Sequence, residues 1–213
     1  MIEGDKVHSV VGYDAREMYL PNDAVWTTET LKEFLLRRDV VKLLSTDGLI
    51  WPSIFDTGEA PAFTALERSK RGLDGLPLPE WIGPNRPLWD DFEKLKEYAS
   101  RVDSASRPFW LIAITLDSDN DTEPFSAPLI QVTRPASWQF LGFDVSDSGF
   151  LSGLSNCGYD ASEISEARLK WESSLNHFHL FDDLAGARRF RDFTDTRVPE
   201  HAPFYVFGLW KTG

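Results

Sequence analysis

Between Thr27 and Thr46 the apolar residues Leu31, Phe34, Leu35, Val41 and Leu44 recur near a helical period, and Thr30 with Glu33 makes a capping box. The spacing predicts an amphipathic helix. Leu49-Ile50-Trp51-Pro52 and Thr57-Gly58-Glu59-Ala60-Pro61 break the pattern, and Ala62 to Lys70 predicts another, short helix. From Gly72 to Pro87 the chain carries Pro77, Pro79, Pro84 and Pro87 with Gly72, Gly75 and Gly83. Missing donors and fixed or unusual φ values predict a long irregular loop at about residues 72–87. Leu88, Phe92, Leu95 and Tyr98 then return to helical spacing. Asp90, Asp91 and Glu93 lie early in this second long helix, where its positive dipole end favours acids, and it is expected to end near Asp103.

The second half reads differently. Phe109 to Leu116 is nearly continuous in β-forming apolar residues, as expected of a central strand covered on both faces. Phe125 to Thr133 and Trp138 to Val145 are shorter strand candidates, and the connections Asp117–Pro124 and Arg134–Ser137 favour antiparallel neighbours in a meander. Asp160 and Glu163 open a third helix carrying Ile164, Ala167, Trp171 and Leu175. Asp182 and Asp183 open a fourth, with Leu184, Ala187, Phe190 and Phe193 on its apolar side. Phe204 to Trp210 is an aromatic strand expected to be tied into the sheet. The pattern predicts an α+β fold in which a mainly antiparallel sheet is packed by several amphipathic helices. Residues 1–213 then form a single domain, with no repeat and no convincing linker.

Composition narrows the partners more than the fold. The 213 residues are 42% hydrophobic and 26% charged, ordinary values for a chain that folds by packing alone. Acids outnumber bases 34 to 22, giving a net charge of -12. That balance argues against a protein built to neutralise phosphates, so no direct nucleic-acid binding is expected. The stretch Met1 to Lys6 carries two acids and no apolar segment behind it, unlike a secretory signal. The longest apolar run, Phe109 to Leu116, falls far short of the about 20 residues a membrane span requires. With Cys157 as the single cysteine no internal disulfide can form, and the expected location is the cytoplasm.

Asp117-Ser118-Asp119-Asn120-Asp121-Thr122-Glu123 concentrates four carboxylates between two expected strands. Alternating oxygens invite a hard cation, but an EF-hand loop wants Gly at its sixth position and Glu at its twelfth, where this chain has Thr122 and Pro128. A solvated acidic turn, or a patch that steers a basic partner, fits better. Cys157 lacks the surroundings of a catalytic thiolate. His177 and His179 diverge on a helix and have no evident third ligand, so no metal site is assigned. No Gly-rich phosphate loop, Gly-x-Ser-x-Gly elbow or His-Glu-x-x-His occurs, and no catalytic residue or cofactor is assigned. Of the eight tryptophans, Trp81 and Trp89 flank the proline-rich loop, and Trp81 is the candidate aromatic anchor for a partner.

Three segments carry a resemblance: Leu180-Phe181-Asp182-Asp183 with Phe190-Arg191, Arg197 through Trp210, and Leu151 to Tyr159. They are similar to a group of bacterial proteins, some of which resemble cytosolic immunity proteins of toxin systems, including contact-dependent growth inhibition. The likeness lies mainly in the C-terminal third. It implies a role, neutralising a cognate protein toxin, and no particular contact residues. The residues themselves nominate the surface: Asp117, Asp119, Asp121 and Glu123, with Trp81, set against the positive active site of a basic nuclease. Two other readings fit the same composition. One is a small cytosolic enzyme using Cys157, or a histidine with an acid such as Glu200; the other is a regulatory or self-associating module without chemistry.

Overall fold

The computed structural model describes residues 7–17, 80–81, 87–102, 109–117, 119, 125, 128–150, 152–153, 170–176, 178 and 180–213. The helices expected at Thr27–Thr46 and Ala62–Lys70, most of the 72–87 loop and the Asp160 helix start lie outside them. In chain order the elements are β1 (Val7–Glu17), β2 (Glu80–Trp81), β3 (Pro87–Leu88), α1 (Phe92–Val102), β4 (Phe109–Leu116), β5 (Ile130–Thr133), β6 (Gln139–Ser146), a 3₁₀ turn (Glu172–Ser174), α2 (Leu184–Arg197) and β7 (Tyr205–Thr212). The fold is α+β: among the described residues, a five-stranded sheet of order β5-β1-β4-β7-β6, antiparallel at every pairing, carries α1 and α2.

Period-two alternation splits the core between the two faces. On one face Ile112 and Ile114 of β4 pack with Phe207 and Leu209 of β7, beneath Phe125, Phe150 and Leu180. On the other, Ala113 meets Tyr13, Trp210 and the α1 residues Leu95 and Ala99, while Val145 and Val206 meet Ala187 and Phe190 of α2. Cover on both sides is why β4 is continuously apolar. The aromatic strand β7 is central as expected, held between β4 and β6.

Local chemistry sets the helix starts. Asp91 caps α1, its Oδ1 accepting from the Glu93 and Lys94 amides at 3.0 and 3.1 Å. Asp183 caps α2 by accepting from the Gly186 amide at 2.7 Å, and Pro199 follows the C-cap Val198.

Several expectations need correction. The strand candidates do not form a meander, because β5 and β6 stand at opposite edges of the sheet. The short connection from Arg134 to Trp138 crosses the α1 face, where Arg134 lies 5.1 Å from the Trp210 ring centroid and Trp138 packs against the same indole at 6.4 Å. The place beside β4 is taken by β1, which the hydrophobic pattern hides: a bulge between Val10 and Gly12 breaks the period-two alternation, and Asp14 is a buried carboxylate. Residues 72–87 are not irregular throughout, since Glu80–Trp81 pairs with Pro87–Leu88. Leu88 and Trp89 precede α1 in extended backbone, and Trp89 exchanges amide hydrogen bonds of 2.8 and 2.9 Å with Tyr13. Strand pairing with Glu80 and the bridge to Tyr13 hold this backbone extended against the helical spacing. Phe125 is buried but stands outside β5. Leu175 lies in an extended bridge to Phe181 and not on a helix, although Trp171 is in the core as expected. Two helices are described, and the other expected helices fall mainly on residues outside the described ones.

Candidate partner-binding surface

Asp117 is the first residue beyond β4, and its amide donates to the Val206 carbonyl at 3.0 Å, which extends the β4–β7 pairing into the acidic segment. One helical element meets it there. Arg188 on α2 forks onto the Asp117 carboxylate, Nε to Oδ2 at 2.8 Å and Nη2 to Oδ1 at 3.0 Å. Its remaining Nη1 lies 2.6 Å from Asp119 Oδ2. One guanidinium therefore ties two carboxylates, using the planar geometry that suits bidentate recognition. The Asp117 carboxylate, helped by Asp119, pushes the Arg188 guanidinium further above its already high range.

Exposure separates the two acids. The Asp117 side chain is 13% exposed with both oxygens occupied by Arg188, whereas that of Asp119 is 57% exposed. Asp117 is a tether and Asp119 is the carboxylate offered to solvent. A second tether lies downstream, where the buried Phe125 ring stacks on Phe150 at 5.6 Å and meets Phe207 at 6.2 Å. Phe150 holds a left-handed backbone, φ 62, within a turn closed by its amide donating to Asp147 O at 3.0 Å. Burial between two other rings offsets the steric cost of that conformation.

Of the other nominated residues, Asp121 and Glu123 lie outside the described residues. Trp81 is on the β2–β3 ribbon, which is followed by Trp89 bridging to β1, and not at the end of β4 beside Asp117. The structure thus brings together Asp117 and Asp119 and adds Arg188, a residue the sequence reading did not nominate. Arg188 is 71 positions from Asp117, and within Arg188-Arg189-Phe190-Arg191 nothing in the sequence marks which arginine turns inward. The only available signal was that Ala187 and Phe190 define the buried face of α2, which leaves Arg188 at its border.

The groups available to an enzyme reading are placed as follows. Cys157, His177 and His179 lie outside the described residues. Glu200 is exposed in the turn before β7, and the neighbouring His201 approaches a different acid, Asp147, at 3.4 Å. Asp144 is 1% exposed and accepts from Ser152 Oγ at 2.7 Å, Ser146 Oγ at 2.9 Å and the Val145 amide at 2.9 Å, the pattern of a buried structural carboxylate. Among the described residues no group of three or more His, Cys, Asp or Glu is arranged to hold a metal ion. No described helix is long and apolar enough to cross a membrane. Comparisons of the chain with protein-family models, curated proteins and solved structures return no match.

Proposed function

We propose that this chain is an immunity protein that acts in the cytoplasm, binding a cognate protein toxin and neutralising it by covering its active site with an acidic surface. The observation that carries the reading is the exposed Asp119 carboxylate, fixed with Asp117 at the end of β4 by one arginine. A nuclease site is positive because it holds phosphates. A pre-positioned carboxylate on a body of net charge -12 gains encounter rate and register against such a site, and a tethered one loses little freedom on docking. The mechanism is stoichiometric occlusion; it calls for no cofactor, no metal and no catalytic residue. Asp121 and Glu123 extend the proposed surface along the chain, and Trp81, on the separate β2–β3 ribbon, is a second proposed contact.

The test is capture at low salt from the native cytosol, with the product of a neighbouring toxin-bearing gene as prey, followed by an assay of the prey's nuclease activity. The reading expects one basic partner, released by added salt, whose activity falls in proportion to the chain added. Absence of a stoichiometric protein partner under these conditions would overturn it and direct attention to small-molecule substrates.

A further inference from the structure

We draw no further inference here: the strongest candidate, the outer edge of β5 beside the exposed Val7 of β1, is a strand edge without a pairing partner among the described residues, and nothing in the structure shows what covers it.

Discussion

Three residues show how much rests on single positions. Arg188 links α2 to the end of β4, and Arg188→Met should lower stability by about 1 kcal/mol, the upper end for partly exposed ion pairs, because the fork is bidentate and Asp117 is largely enclosed. A urea unfolding midpoint equal to that of the parent would contradict this role. Gly208 gives Thr115 and Trp210 the space to bond, Trp210 Nε1 donating to Thr115 Oγ1 at 3.0 Å. A Cβ at position 208 would stand 2.6 Å from that hydroxyl, so Gly208→Ala should cost about 1–3 kcal/mol in the same measurement. Asp144→Ala leaves the Ser146 and Ser152 hydroxyls without their shared acceptor in the core, and a loss of about 1–3 kcal/mol is expected. None of these pairings was legible in the sequence. Each joins positions whose proximity exists only after the chain has folded, and an arginine, a glycine or an aspartate carries no mark of its future neighbour.

Elements were legible where one physical signal dominated. The apolar run of β4, the aromatic run of β7 and the spacing of Ala187 and Phe190 in α2 each state their structure directly. The start of α1 departs from the pattern because Leu88 continues the helical spacing, while its backbone is claimed by β3 and the next residue by a bridge to Tyr13. Tertiary pairing overrode local period. β6 presents a related case: its bulge places Gly142 at φ 140, against Leu180 and Asn176, and Asn176 Nδ2 in turn donates to the Leu141 carbonyl at 2.7 Å. At α1 the helix cap predicts a pH dependence. Amide hydrogen bonds, first that of Lys94, hold the Asp91 carboxyl below its ordinary range. A carboxyl depressed in the folded state contributes stability above its unfolded pKa and loses it as pH falls through the folded value. Asp91→Ala should therefore be less stable than the parent at neutral pH, with the gap closing at the acid end of the carboxylate range. A gap that stays constant throughout an unfolding series in pH would contradict the cap.

For the molecule as a whole, fold class was accessible and strand order was not. The sheet is antiparallel as expected but not through the hairpins expected, because the order β5-β1-β4-β7-β6 depends on a strand, β1, whose pattern is broken by a bulge, and on a connection that crosses a face instead of turning a hairpin. The candidate surface was legible as charge and illegible as geometry: four carboxylates in a row did not reveal that one is sequestered and its neighbour displayed. The two acids should therefore separate in function. Asp117→Asn acts first on stability, through Arg188, whereas Asp119→Asn should leave stability within about 0.5 kcal/mol of the parent and slow association with the proposed basic partner severalfold. The most direct measurement is the association rate of parent and Asp119→Asn chains with that partner across a salt series. The account predicts a fast, salt-sensitive rate for the parent and a slower rate with a shallower salt dependence for Asp119→Asn; identical rates and slopes for the two chains would contradict it.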